Sequence, residues 1–284
     1  MRDFKVAAVC MHSETGEIQK NLDRTASYVA KASDRGANVV CFPELSLTGY
    51  SLQDPGQVCR ELGQDAVIER VLHLARDRNV IILAGLVERS FEDKPYISQI
   101  VAGPRGLMGV YRKTHLSPPE AEKYEAGQEI NVFTDHDVTF GVQLCYESHF
   151  PEISTIMALK GTEVLFLPHA SPRGEPAEKM DSWLRHMPGR AFDNGLYVVA
   201  CNQVGRNREG FDFPGVAVVF GPDGRIMESY VGREEGLVFA DLTASFLEEV
   251  RKHRMRYFLP HRRPELYREL CASGFHGSRF RGPQ

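Results

Sequence analysis

Three side chains of different chemistry each stand where an apolar run of this 284-residue sequence gives way to a loop. Cys145 closes the alternating run Val-Thr-Phe-Gly-Val-Gln-Leu that begins at Val138. Glu44 follows Phe42 and Pro43 at the end of a second apolar run, and Lys113 follows Tyr111 and Arg112 at the end of a third. A thiol can attack a carbonyl carbon, a carboxylate can carry the proton, and an ammonium can hold the developing oxyanion. Together they suffice to hydrolyse a carbon–nitrogen bond without a metal. Strand ends are also where a sheet offers side chains to a pocket. By default a strand cysteine is an inert buried thiol, and glutamate and lysine are solvated. Cys145 departs from that default because it ends its strand ahead of a helix opened by Pro151. A helix start supplies partial positive charge and free N–H groups, which favour a thiolate. The apolar neighbours of Glu44 imply partial burial, which raises a carboxylate's pKa and makes it a usable base. A fixed ammonium at Lys113 would also lower the pKa of a nearby thiol.

Competing chemistries lack their signatures. No Gly-x-Ser-x-Gly elbow occurs, and Gly103, Gly106 and Gly109 have turn spacing, not that of a dinucleotide loop. Cys10, Cys41, Cys59, Cys145, Cys201 and Cys271 form no Cys-x-x-Cys pair, and His149, His169 and His186 show no ligand spacing, so no metal and no cofactor is expected. His149, just after the cysteine, and His169, at the end of the run 164–168, read as pocket lining. A net charge of −4 and a pI near 6.2 give no basic footprint for nucleic acid. The basic cluster 251–256 reads as a solvated helix face. Apolar runs such as 80–83 and 198–201 are strand-sized, so no membrane span is expected, and without a secretory signal pattern the expected location is the cytoplasm.

The elements that must position these groups alternate. Strands are expected at 4–11, 38–42 and 80–87, with helices at 18–32 and 66–76 between them. A hairpin at 96–102 and 107–111 turns at Gly103-Pro-Arg-Gly106. After Cys145 come a helix at 151–159, a strand at 163–167, a single helix at 177–193 and a strand at 196–201. Strands at 216–220, 226–231 and 237–240 and a helix at 244–254 follow. This alternation argues an α/β fold, and the absence of any linker argues one domain.

Taken together, Phe42-Pro-Glu44-Leu, Tyr111-Arg-Lys113-Thr-His-Leu and Cys145-Tyr-Glu-Ser-His-Phe-Pro-Glu152 resemble the nitrilase superfamily, also called the carbon–nitrogen hydrolases. The resemblance runs to Arg262-Arg-Pro-Glu-Leu-Tyr267. It implies a Glu44–Lys113–Cys145 triad on an α/β fold, a four-layer αββα sandwich of two mixed sheets with helices outside. It implies a hydrolase domain over 1–258 and a tail over 259–284 packing on a partner subunit in a homodimer or higher homo-oligomer. It further implies a second glutamate between the lysine and the cysteine. Counting back from Gly127, Glu120 fits best, with Glu122 and Glu125 as alternatives. Tyr50, in the Thr-Gly-Tyr that follows Glu44, and the backbone N–H of Tyr146 fall where substrate contacts are implied. The implied reaction is hydrolysis of a small amide or N-carbamoyl compound through a thioester. A nitrile substrate and a catalytically silent binding protein are the alternatives. Asp and Arg of the ω-amidase pattern are replaced here by Glu147 and His149, and a substrate carboxylate, if there is one, would fall to Arg173.

Overall fold

The computed structural model describes residues 1–63, 65–91, 93–135 and 138–268. Alternation within single strands builds the layers. In β1 (Phe4–Cys10), Val6, Ala8 and Cys10 face one buried cluster while Ala7 and Val9 face another. The second cluster is closed by α1 (Ile18–Asp34) and by α2 (Ala66–Arg78), whose apolar residues recur at helical spacing. Helix α2 starts on the Asp65 side chain, which accepts from the Val67 N–H, and stops at Asn79 in the left-handed conformation.

Between and after these helices run β2 (Val39–Cys41), β3 (Ile81–Glu88), β4 (Tyr96–Gly103) and β5 (Gly106–Arg112), followed by the short α3 (Pro118–Ala121). The second half comprises β6 (Val132–Asp135), β7 (Val138–Val142), α4 (Pro151–Leu159), β8 (Val164–His169), α5 (Pro176–Leu184), α6 (Met187–Asn194) and β9 (Tyr197–Asn202). Then come β10 (Gly205–Arg206), β11 (Asp212–Phe213), β12 (Gly215–Phe220), β13 (Ile226–Gly232), β14 (Gly236–Leu242) and α7 (Ala244–Lys252).

Two mixed six-stranded sheets result, ordered β14-β1-β2-β3-β4-β5 and β13-β12-β9-β8-β7-β6. Strands β1, β2 and β3 are parallel in one, and β7, β8 and β9 in the other, with antiparallel strands on both flanks. The two sheets pack face to face through β1, β9 and β12, with helices outside, so the α/β four-layer sandwich is the observed fold. Cys41 of one sheet and Cys201 of the other bring their sulfurs to 3.8 Å in that interface. The chain ends this architecture by sending β14 back to pair with β1, antiparallel from Phe4–Leu242 to Cys10–Gly236. No helix of the described residues is long and apolar enough to cross a membrane.

Three differences from the sequence expectation have physical causes. The helix expected over 177–193 is two helices, α5 and α6, broken at Arg185 and His186. Pro188 has no N–H for the bond to Leu184, and its ring collides with that carbonyl. Strand β6 and the two-residue ladder β10–β11 are too short for alternation to register. Cys145 lies beyond the end of β7, as the first residue of a helical turn over Cys145–His149, and α4 starts only after it. Of the expected tail, 259–268 forms two exposed single turns, and 269–284 lie outside the described residues.

The parallel strands aim Glu44 and Cys145 at the same end of the sandwich, one from each sheet. Close approach at Gly85 of β3 keeps the Glu44 loop in place. Its N–H donates to Ser46 Oγ at 3.0 Å and its carbonyl accepts from Leu47 N–H at 2.8 Å. A Cβ at this position would stand 2.1 Å from the Leu45 nitrogen. Gly85→Ala should therefore cost about 2–3 kcal/mol in urea unfolding and depress kcat, because backbone must move. An unchanged midpoint together with unchanged kcat would show that the loop can yield.

Candidate active site

Lys113 continues β5 by one residue, its N–H donating to the Ile97 carbonyl at 2.9 Å. Its side chain has no exposure, and its ammonium lies 2.7 Å from Glu44 Oε1 and 2.9 Å from Glu120 Oε1. Burial alone would discharge the lysine, but Glu44 and Glu120 outweigh it and hold the pKa well above the usual lysine value. Glu120 is fixed by its place in α3, where Oε2 accepts from the Ser117 N–H at 2.8 Å in a capping box. Glu122, the alternative from the sequence, is exposed, and Glu125 is only half-buried, its backbone bridged to Tyr96. Gly127 seats this segment on the lysine strand, its N–H donating to the Lys113 carbonyl at 2.8 Å.

Glu44 is fully buried, and its Oε2 accepts from the Ala170 N–H at 3.0 Å. Gln203 donates to its carbonyl at 2.8 Å, and Gln99 donates to the Phe42 carbonyl at 3.1 Å. Burial pushes Glu44 up, Lys113 pulls it back and Glu120 adds to the rise, leaving its pKa at about 7. A carboxylate poised there can both take and return a proton at neutral pH.

Cys145 occupies a left-handed backbone conformation, φ +42°, and is the part-exposed member of the cluster. Burial among protein atoms and the nearby Glu44 raise its thiol pKa far above the ordinary value, and Lys113 only partly opposes them. The resting thiol is therefore protonated. The thiolate that a helix start alone would favour is not what this surrounding supports, because burial disfavours the charged form and Glu44 opposes it more than Lys113 supports it.

One residue that the sequence showed only as part of the cysteine motif ties the site together. Glu147 is completely buried, and Tyr111 Oη, the Thr114 N–H and Thr114 Oγ1 donate to its Oε1 at 2.9, 2.7 and 2.5 Å. The Leu144 N–H donates to Oε2 at 2.6 Å. Its carboxylate thus bolts the turn that carries Cys145 to the loop that carries Lys113. Burial pushes its pKa up, and the hydrogen bonds from Thr114 and Leu144 work against that rise. A buried carboxylate between two loops leaves no periodicity to read. Arg112 has its own acidic partner, Glu88, at 2.9 and 2.5 Å, and His115 packs on Phe150.

Cys145 opens into a cavity of about 430 Å³ whose wall includes Tyr50, Tyr146, His149, His169, Arg173 and Lys179. All five pocket residues expected from the sequence thus lie on one surface, with Glu120 beside them. Tyr50 is held edge-on to Phe211 and Phe213. His169 is buried against Trp183, and its Nδ1 lies 2.8 Å from the Leu167 carbonyl, which fixes the proton on Nδ1. Burial depresses its pKa well below the usual histidine value. Burial also lowers His149 and takes its neighbour His186 to about 4, so these rings are neutral at pH 7. Among the described residues no cluster of His, Cys, Asp and Glu is placed to hold a metal ion.

Comparison with known proteins agrees with this geometry. The Carbon-nitrogen hydrolase family profile matches residues 5–252. A protein called nitrilase from Pyrococcus abyssi is 31% identical over 268 residues, covering 93% of this chain and 98% of its own length. An N-carbamoylputrescine amidase from Solanum lycopersicum is 28% identical, covering 90% of this chain and 91% of its own. Among solved structures, an amidase of the nitrilase superfamily from Nesterenkonia AN1 superposes with a TM-score of 0.81 at 26% identity, over 94% of this chain and 97% of that one.

Two expectations follow from the geometry. The base must be ionised to act, so kcat/KM should climb about tenfold per pH unit below pH 7 and level off above it. The midpoint belongs to the coupled Glu44–Lys113–Glu120 set, and a profile flat from pH 5 to 8 would remove Glu44 from the base role. Glu147→Gln should lower kcat about 100-fold with a smaller change in KM, since it loosens the spacing between nucleophile and lysine. Wild-type kcat in that variant would reduce Glu147 to a packing group.

Proposed function

Since this chain belongs to the carbon–nitrogen hydrolase family, we propose that it hydrolyses a small linear amide or N-carbamoyl compound at Cys145, through a thioester, and releases ammonia or an amine. The observation that carries this reading is the buried Lys113 ammonium bonded to both Glu44 and Glu120 beside the strained Cys145 turn.

In the proposed cycle Glu44 takes the thiol proton as sulfur attacks the carbonyl carbon. The oxygen that becomes negative is held by Lys113 and by the N–H of Tyr146. That N–H stands second in the helical turn over Cys145–His149, where no intrahelical partner is available. Collapse expels the amine, which leaves with the proton that Glu44 had taken. Water then gives a proton to Glu44 and adds to the thioester, and the acid leaves as sulfur regains its proton. Glu120 keeps Lys113 aligned throughout. Tyr50, His149 and His169 shape the cavity around the acyl group. Each side chain moves a proton or holds a charge, so the cycle needs no added cofactor.

The proposal extends to setting. The protein would act in the cytoplasm on small molecules, as a homodimer or higher oligomer, with the segment after residue 258 reaching the partner subunit. A screen of ammonia release over simple amides, N-carbamoyl amines, N-carbamoyl amino acids and nitriles separates the amidase reading from nitrile hydrolysis. Release from nitriles alone would replace it.

Cys145→Ala should abolish turnover while leaving the thermal transition in place, because no other group can carry the acyl chain. A slow substrate should add its acyl mass to the wild-type peptide containing Cys145. Acyl mass on a different cysteine, or turnover by the alanine variant, would refute the thioester route.

A further inference from the structure

The charge on the cavity wall is unbalanced away from the reacting sulfur. Lys179, on α5, is half-buried, and its ammonium donates to Ser171 Oγ at 2.7 Å and to the Pro172 carbonyl at 3.3 Å. Both acceptors are neutral, and among the described residues no carboxylate lies within ion-pair distance of it. Arg173, itself exposed, is close enough to repel it and makes no ion pair with the described residues. The acidic residues that flank them make their bonds elsewhere or lie exposed to solvent without reaching either cation. Glu175 and Asp212 are both bound by Arg233, and Glu178 accepts from the Glu175 N–H. Glu120, the carboxylate on the cavity wall, has one oxygen on Lys113 and the other on Ser117.

The Arg173 backbone is locked at φ +84°, its N–H donating to the Asp212 carbonyl at 3.1 Å. A left-handed arginine in a pinned loop is a conformation that the surroundings must hold, and such strain gathers at binding sites. A partly buried cation without a counter-ion is costly in the empty site. It is relieved when a ligand supplies the missing charge.

We propose that Lys179, with Arg173 beside it, reads a carboxylate on the substrate, so that the amide or carbamoyl group cleaved at Cys145 belongs to an acid. This rests on the hydrolase reading above and narrows it to anionic substrates. A substrate ending in an amine would meet two cations and no free carboxylate on this wall. The shift of Lys179 agrees, since burial lowers its pKa and the Cys145 sulfur, if ionised, would raise it, which places the ammonium within electrostatic reach of the reacting centre.

Succinamate, butanamide and 3-aminopropanamide present the same amide at similar reach, with a negative, no and a positive charge. For the wild-type chain kcat/KM should fall in that order. Lys179→Met should lower the succinamate-to-butanamide ratio roughly 10- to 100-fold, the loss expected for one charge-assisted hydrogen bond, and Lys179→Arg should retain most of it. A wild-type ratio at or below one, or a ratio that Lys179→Met does not move, overturns the inference and leaves the hydrolase reading intact. A second measurement needs no turnover. Iodoacetate and iodoacetamide alkylate a thiol by the same displacement of iodide and differ in charge. Their rate ratio on the Cys145 peptide should exceed that of free cysteine in the wild type and drop in Lys179→Met. A ratio equal to that of free cysteine overturns the inference. Were all amides and carbamoyl compounds left untouched, the hydrolase reading would fall, and the alkylation ratio would still decide whether the cavity reads a carboxylate.

Discussion

A lysine with no solvent exposure, held between two carboxylates, is the constraint around which this molecule is arranged. An ammonium cannot be taken out of water without near-contact counter-charges, and one carboxylate is not enough to satisfy its three protons. Two carboxylates, however, leave the trio with a surplus negative charge. Burial of the trio, with that surplus adding to it, accounts for two properties of the site. It lifts Glu44 to about 7 against the pull of Lys113, where it can exchange protons, and it keeps the Cys145 thiol protonated in the resting state. The electrophile and the base must therefore act together, because sulfur is not a free nucleophile in the resting state.

Holding such a cluster requires backbone that regular elements do not supply. Leu45, Cys145 and Arg173, all without the freedom of glycine, adopt left-handed conformations at the loops around the cavity. The backbone at or next to each is held by bonds to other residues. Gln203 of the second sheet grips the carbonyl of Glu44 of the first, and Glu147 spans from the cysteine turn to the lysine loop. The catalytic end is thus also where the two sheets are latched by polar bonds, in addition to the apolar contact between their inner faces.

The sequence was most legible where chemistry and regular geometry coincide. Short apolar runs at 4–10 and 81–88, buried along almost their whole length, and helical spacing in 18–34 identified the elements that build the layers. Glu44, Lys113 and Cys145 were visible because each ends an apolar run. Glu120 was reached only through resemblance, and the structure brings it to the lysine. The role of Glu147 was hidden, since nothing local says that its partners are Tyr111 and Thr114, more than thirty residues away. The break between α5 and α6 was misjudged because amphipathic spacing carries through 177–193, although Pro188 stood in plain view. Lys179 went unremarked for a similar reason. A lysine on a helix is ordinarily a surface charge, and only its half-buried place on the cavity wall, with no ion pair among the described residues, makes it unusual.

Two parts of the chain build most of the cavity. Glu44, Lys113, Glu120 and Cys145 arrive on segments that end at residue 149, whereas Arg173, Lys179, Trp183 and His186 all belong to the stretch from the end of β8 through α5 to the start of α6. That stretch touches the machinery through the Ala170 N–H on Glu44 and through His186, which bonds Ser148 in the cysteine turn. Arg173 and Lys179 make neither contact, so they can be exchanged with less disturbance of the reacting groups. Such a division lets a lineage explore new substrates by drift at a few positions of one short stretch, with the reacting groups carried on other segments.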